Sequence, residues 1–141
     1  MRNAECGNPI LDPPFHERGA LVLEKNLRAI KRRQPELAAT IDATDIPPGI
    51  EPAIGRDGTP TLRLRVEDGR WAWFGGSSMP SISAQECFGS ADGEGGNASL
   101  PGIGSGFEVK TLLERLPQYR ALFVVEDHIA SLKLGLHLHD L

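Results

Sequence analysis

Apolar residues recur at every third or fourth position near the start of the chain, which is the spacing of a helix with one buried face. The first such stretch runs from about Glu17 to Arg33, and its inward positions are Ala20, Leu23, Leu27 and Ile30. Pro35 is suited to the first position of a second, shorter helix, with Leu37, Ala38 and Ile41 facing inward. The pattern predicts two consecutive helices after an irregular, proline-containing arm over residues 1–16.

Further along the chain, the spacing of apolar residues changes to every second position. Residues 42–60 precede the change, and their four prolines and three glycines indicate a connector without regular structure. The alternating residues that follow are Leu62, Arg63, Leu64, Arg65 and Val66. This alternation predicts a strand whose apolar side chains face the core and whose arginines face water.

Asp68-Gly69, directly after this strand, is typical of a two-residue hairpin turn. Such a turn places Trp71 opposite Val66 and Trp73 opposite Leu64 on a second strand. Both tryptophans would then lie on the apolar face and belong to the core. The alternative is that the two rings form a platform on which a sugar or a base stacks.

Two short segments separate the hairpin from the rest of the chain. Ser83-Ala84-Gln85-Glu86 has the spacing of a capping box and predicts a short helix that continues through Cys87 and Phe88. Gly89–Asn97 contains four glycines and no apolar residue larger than alanine, which indicates a linker or a mobile loop. We therefore expect one portion over residues 1–90 and another over residues 91–141.

The second portion reads as a strand, a glycine-rich loop, a helix and another strand. The first strand contains Ala98 and Leu100, and the loop contains Gly102, Gly104 and Gly106. The helical pattern runs from about Phe107 to Leu116 and is ended by Pro117. The second strand is the apolar run Ala121–Val125. A continuous apolar run is typical of a strand covered on both faces in a parallel sheet. The sequence therefore predicts an α/β fold: an N-terminal α+β portion with a helix and a β-hairpin, followed by the start of a Rossmann-like parallel βαβ unit.

The candidate ligand-binding residues belong to this unit and are Gly102, Gly104, Ser105, Gly106 and Glu126. Glycines let the backbone approach a ligand, and the helix that follows offers unpaired N–H groups. Glu126 lies about 20 residues beyond Gly106, the separation of a carboxylate that binds a ribose. The Gly-x-Gly-x-Gly spacing differs from that of NAD enzymes and favours other ligands, such as S-adenosylmethionine. The alternative is that the glycines serve only helix-to-strand packing.

Composition excludes several classes of function. A formal net charge of -4 argues against a nucleic-acid-binding protein. Cys6 and Cys87 lie far apart, without the spacing of metal ligands or of a disulfide framework. Neither a signal peptide nor a run of membrane-spanning length is recognisable, so a reduced, cytoplasmic setting is expected. We expect His128, His137 and His139 to be solvent-exposed rather than metal ligands, because no carboxylate partner faces them.

The βαβ unit is expected to be incomplete, because only the start of a further helix follows its second strand before Leu141. Two parallel strands cannot bury both faces. A truncated gene or product, or completion by another chain, would account for this. Since exposed apolar edges recruit other chains, we expect the isolated chain to self-associate.

Several short motifs resemble one protein family. They are Asn26–Ile30, Pro35–Ala38, Gly58–Leu62, Ser77–Gln85, Gly102–Gly106 followed by Phe107, and Val124–Glu126. Together they resemble the N-terminal portion of the bacterial motility accessory factor family, also described as 6-hydroxymethylpterin pyrophosphokinase-like, whose members are glycosyltransferases acting on flagellin. Ser78-Met79-Pro80 stands where the family usually has Tyr-Asp-Pro.

The resemblance implies transfer of a nonulosonic acid from a nucleotide-linked donor to hydroxyl groups of a protein acceptor, with most of the catalytic domain beyond Leu141. Three functions therefore stay open from the sequence. The chain is the front part of a glycosyltransferase, a fragment similar to S-adenosylmethionine-dependent methyltransferases, or a non-catalytic interaction module. Spacing picks out neither a nucleophile beside a base nor paired catalytic carboxylates.

Overall fold

The computed structural model describes residues 14–92, 94–117 and 120–141. These residues form five α-helices, a three-stranded antiparallel sheet and a two-stranded parallel sheet, which confirms the mixed α/β class. The helices are α1 (Pro14–Lys31), α2 (Pro35–Ala43), α3 (Pro80–Phe88), α4 (Phe107–Arg115) and α5 (Ile129–Leu138). The strands are β1 (Ile50–Ile54), β2 (Pro60–Arg65), β3 (Trp71–Trp73), β4 (Ala98–Pro101) and β5 (Leu122–Val125).

The two predicted N-terminal helices are present as α1 and α2. Most of the predicted irregular arm lies outside the described residues, but its last three positions, from Pro14 on, already belong to α1. Leu23 of α1 and Ile41 of α2 pack with Leu136 of α5 in a small apolar cluster. Buried Asn26 ties α1 to the end of α5, because its side-chain amide donates to the Leu136 and His139 carbonyls at 2.9 and 2.7 Å.

The predicted connector over residues 42–60 is wrong in part, because it contains strand β1. This strand pairs antiparallel with β2 along its whole length, with Pro52 opposite Leu62. Proline is compatible with a strand at the edge of a sheet, where one row of N–H groups has no partner strand. β1 is such an edge strand, since the order of the antiparallel sheet is β1-β2-β3.

The predicted hairpin of β2 and β3 is present, but its predicted register is wrong by one residue. Trp73 lies opposite Arg63 and Trp71 lies opposite Arg65. Successive side chains of a strand point to opposite faces, so a shift of one residue exchanges the two faces. Both tryptophans therefore share a face with the arginines and not with the core leucines.

The turn of this hairpin explains the shift. Three residues, and not two, separate Val66 from Arg70, and the Val66 N–H donates to the Arg70 carbonyl at 2.9 Å. Gly69 alone takes the left-handed conformation that this turn needs, with φ of +82°. A turn of this kind adds one residue to the loop that Asp68-Gly69 predicted.

The predicted capping box at Ser83 is wrong, although the short helix itself is present. Helix α3 begins three residues earlier with Pro80 in its first turn, which places Ser83 inside the helix. Asp57, from the turn between β1 and β2, takes the capping role instead. Its carboxylate accepts hydrogen bonds from the Ser81 N–H at 2.9 Å and from the Ser81 hydroxyl at 3.0 Å.

The β4–α4–β5 unit is present, with β4 and β5 parallel and Leu100 opposite Val124. The expectation that β5 is covered on both faces is wrong. Phe123 is 56% exposed and Val125 is 62% exposed, while Leu122 and Val124, which alternate with them, are half-buried. One face of the parallel sheet therefore packs on the core and the other is open.

The main core draws on both sides of residue 90. Its buried members are Leu62, Phe74, Leu100, Ile103, Val109, Leu112 and Leu134. Phe74 comes from the short turn after β3, whereas Ile103 comes from the glycine-rich loop. The loop is therefore fixed by core packing as well as by its own hydrogen bonds.

Candidate functional site

The glycine-rich loop over residues 102–106 joins β4 to α4 at the carboxyl end of the parallel sheet. Its three glycines have positive φ values, +100° at Gly102, +59° at Gly104 and +84° at Gly106. These angles lie where residues with a Cβ are strained. The Gly102 N–H donates to the Val125 carbonyl at 2.7 Å, which continues the parallel pairing one residue into the loop.

Glu126 directly follows β5, and its carboxylate lies against the loop. One oxygen, Oε2, accepts a hydrogen bond from the Ile103 N–H at 2.9 Å. The other, Oε1, accepts one from the N–H of His128 at 2.9 Å. A Cβ on Gly102 would lie 3.3 Å from Oε2. The structure therefore brings Gly102 and Glu126 together, and it adds Ile103 to the predicted residues.

The other half of the loop faces a second carboxylate, which sequence reasoning missed. Glu108 Oε2 accepts hydrogen bonds from the Ser105 N–H at 2.9 Å and from the Ser105 hydroxyl at 2.7 Å. A Cβ on Gly104 would lie 2.8 Å from this oxygen. Ser105-Gly106-Phe107-Glu108 has the same Ser-x-x-Glu spacing as the segment at Ser83, so this signal was present in the sequence at a second place.

His139 lies buried against the same loop and His137 is half-buried, so the expectation of three exposed histidines is correct for His128 alone. Its Nε2 lies 2.9 Å from the Ser105 carbonyl, and its ring meets Phe107 edge to face at 4.4 Å. A Cβ on Gly106 would overlap the imidazole. Burial lowers the pKa of His139, the Ser105 carbonyl opposes this effect, and the charge of Lys110 adds to it. Because the Ser105 carbonyl can only accept, Nε2 carries a proton and donates it to this oxygen.

The five predicted site residues thus form two groups around one loop. Gly102 lies against Glu126, while Gly104, Ser105 and Gly106 lie against Glu108 and His139. No sequence signal marked His139, because its contact with the loop joins residues more than thirty positions apart. Four N–H groups of the loop donate hydrogen bonds to acceptors among the described residues, and they belong to Gly102, Ile103, Ser105 and Gly106.

Within residues 14–92, 94–117 and 120–141, no group of three histidine, cysteine or acidic side chains could hold a metal ion. None of the helices in these residues is both long enough and apolar enough to cross a lipid bilayer. Cys87 is an exposed free thiol, and Cys6 lies outside the described residues.

No family model matches the sequence, and neither a curated protein nor a solved structure matches the chain.

Proposed function

We propose that the chain supplies the nucleoside-binding part of a glycosyltransferase-like protein that uses a nucleotide-linked sugar as donor and modifies a protein acceptor such as flagellin. The observation that best supports this proposal is the position of Glu126. Its carboxylate lies at the carboxyl ends of two parallel strands, against the backbone of Gly102. Ligands of open α/β sheets bind at this end of the strands. The β4–α4–β5 unit is, in this proposal, the start of a Rossmann-like domain.

Glu126 retains the hydrogen-bonding capacity that a ribose needs. An ionised carboxylate offers about four acceptor positions. The N–H groups of Ile103 and His128 each use one, on different oxygens. The described residues leave one acceptor position on each oxygen, which suits the two neighbouring hydroxyls of a ribose. The backbone bonds hold the carboxylate in place before the ligand arrives, so binding need not order it.

Glu108 determines which part of the ligand contacts the loop. The first turn of a helix ordinarily attracts phosphate, but here the Glu108 carboxylate already accepts the N–H and hydroxyl of Ser105. A diphosphate at this point would meet a like charge. We therefore place the ribose at Glu126 and the phosphates away from α4. The same negative charge favours a cationic ligand, which supports S-adenosylmethionine as the second candidate.

The third candidate, a non-catalytic interaction module, has its own supporting observation. At least four N–H groups of the loop are bonded within the chain, from Gly102 to the Val125 carbonyl and from Gly106 to the Ile103 carbonyl among them. A loop that satisfies its own donors serves packing without any ligand. In this case no nucleoside would bind.

A binding screen followed by amide NMR separates the three. Cytidine and uridine monophosphates, S-adenosylmethionine and its demethylated product are each titrated into the 141-residue chain. We expect a pyrimidine nucleotide to shift the Ile103 and His128 amide signals, and Glu126→Gln to weaken binding by about tenfold or more, since hydrogen bonds to a charged group are lost. Glu108→Gln is the matched control and should leave ribose binding intact.

Each other outcome of the screen contradicts the proposal in a different way. A response only to S-adenosylmethionine, weakened by Glu108→Gln, assigns the second candidate. Nucleotide binding that Glu108→Gln strengthens strongly would place the phosphates at α4. No response to any ligand would leave the interaction module.

Self-association, predicted from the sequence, forms part of this proposal. The exposed side chains of Phe123 and Val125 support it, because they lie side by side on the open face of the parallel sheet. Light scattering on the chain should show dimers or larger species at micromolar concentration. Replacing both residues with serine should restore the monomer, and a monomeric wild-type chain would refute the prediction.

A further inference from the structure

The outward face of the antiparallel sheet carries a stack of alternating cationic and aromatic side chains. Arg63 Cζ lies 5.3 Å from the centre of the Trp71 ring and 6.0 Å from that of Trp73. Arg65 Cζ lies 5.7 Å from the centre of the Trp71 ring. We call Arg65, Trp71, Arg63 and Trp73 the arginine–tryptophan ladder. Each contact is within the range of a cation–π interaction, so the ladder holds its four side chains in place.

The tryptophans of the ladder are not core residues. Trp71 is 40% exposed and Trp73 is half-buried, whereas Leu62 on the other face of the same sheet is 6% exposed. Tryptophan is highly buried on average in soluble proteins. The one-residue shift of the hairpin thus turns the two largest side chains of the sheet toward solvent, where they are accessible to a ligand.

The ladder also carries positive charge that no ion pair within the described part of the chain neutralises. Glu51 pairs with Arg63, but among the described residues Arg65 has no carboxylate within ion-pair distance. The guanidinium of Arg65 is therefore held against Trp71 with its charge uncompensated. Indole and guanidinium groups only donate hydrogen bonds. The surface as a whole calls for a ligand that is negatively charged and rich in acceptor oxygens.

We propose that the arginine–tryptophan ladder binds an acidic carbohydrate, with a sugar carboxylate at Arg65 and the apolar face of a sugar ring against Trp71. Sugar hydroxyl and ring oxygens supply the acceptors, and C–H groups of the ring pack on the indole. A longer polyanion such as nucleic acid fits less well. The chain has a formal net charge of -4, and Glu51 and Asp68 flank the ladder with like charge toward phosphates.

This inference is independent of the proposed nucleoside site, because its residues lie on the other sheet. The chain contains two tryptophans, both in the ladder. Their intrinsic fluorescence therefore reports on this surface alone. The experiment titrates trigalacturonic acid, neutral maltotriose and a short oligothymidylate into the 141-residue chain while the indole emission is recorded.

We expect trigalacturonic acid to change the emission with saturation in the millimolar range or below, and maltotriose to bind at least about tenfold more weakly, since a charge-assisted pair is missing. Arg65→Gln should weaken the acidic sugar by a similar factor of about ten. Arg70→Gln is the matched control: Arg70 is exposed, pairs with Asp68 on the turn and lies outside the ladder. It should leave binding unchanged.

Salt and folding controls keep the result interpretable. Binding of trigalacturonic acid should weaken as ionic strength rises. Circular dichroism should show the same thermal transition for Arg65→Gln and for the wild type, since the side chain is exposed. An unchanged emission with the acidic sugar, equal binding of maltotriose, or tighter binding of oligothymidylate would each overturn the proposal.

Discussion

Two carboxylates hold distant segments of this molecule together, and they do so to different degrees. Asp57 accepts hydrogen bonds from the N–H and hydroxyl of Thr59 at 3.2 and 2.6 Å and from the N–H and hydroxyl of Ser81 at 2.9 and 3.0 Å. Glu126 accepts two, from Ile103 and His128. Donors of the described residues fill the four acceptor positions of Asp57 and two of the four acceptor positions of Glu126.

This difference separates a structural carboxylate from one that is fit to bind a ligand. Asp57 fixes the turn between β1 and β2 to the first turn of α3, where the Ile82 N–H adds a longer hydrogen bond of 3.4 Å to Oδ2, so its acceptor capacity is fully used. Glu126 is also fixed, but it still has an acceptor position on each oxygen. Both would have looked alike in the sequence, as an acidic residue beside a glycine or at the end of a strand.

The largest expected effect is on stability and distinguishes the two carboxylates directly. Asp57→Ala removes the acceptor for several part-buried donors and should lower the free energy of unfolding by about 3 kcal/mol. Glu126→Ala should cost about 1 kcal/mol, because fewer donors depend on it. Urea denaturation of both variants measures the difference. Equal losses would show that the two carboxylates do not differ in their structural role.

The pH dependence of stability sharpens the same comparison. Burial raises the pKa of Asp57, but the hydrogen bonds from Thr59 and Ser81 outweigh it and bring the pKa from 3.8 down to about 2. Since the folded-state pKa is the lower one, this carboxylate stabilises the fold above the unfolded-state value, and the stabilisation is lost as pH falls from 3.8 to about 2. The difference in unfolding free energy between the wild type and Asp57→Asn should shrink across that window. A constant difference would contradict the assignment.

The smallest effect concerns a single donor. Ser81→Ala removes one hydroxyl that donates to Asp57 but leaves the Ser81 N–H in place, so the free energy of unfolding should fall by about 1 kcal/mol. Ser83→Ala on the same helix is the matched control, because that hydroxyl bonds only to Ser77 in the described residues. Thermal unfolding of both variants would show the larger shift for Ser81. A larger shift of the melting temperature for Ser83→Ala would indicate that Ser83 caps the helix, as its capping-box spacing predicted.

Local patterns in the sequence were sufficient for the elements around the candidate site. The change from a glycine loop to helical spacing and then to an apolar run predicted β4, α4 and β5, and the acid at the strand end was assigned to the same candidate site as the loop against which it lies. Each of these features depends on residues close together in the chain. The physical information needed for them is therefore present in a short window.

Features that depend on one residue of register or on distant contacts could not be predicted. Asp68-Gly69 fits a two-residue and a three-residue turn equally well, and the choice decides which face carries Trp71. Strand β1 was not predicted because it contains Pro52, and within a strand proline is compatible with an edge position. His139 is buried because its ring packs against Gly106, and no periodicity in the sequence predicts this contact.

The hydrogen bonds between the Asn26 side chain and the end of α5 have a consequence for the order of folding. The side chain of Asn26 bonds to Leu136, His139 and Leu141, which are separated from it by 110 to 115 positions. Such contacts carry a high loop-closure cost and slow folding. During synthesis α1 leaves the ribosome early, but its buried polar group finds its partners only when α5 has followed. Helix α1 is thus made before the other described helices, yet its native surroundings are complete only after α5 has been made.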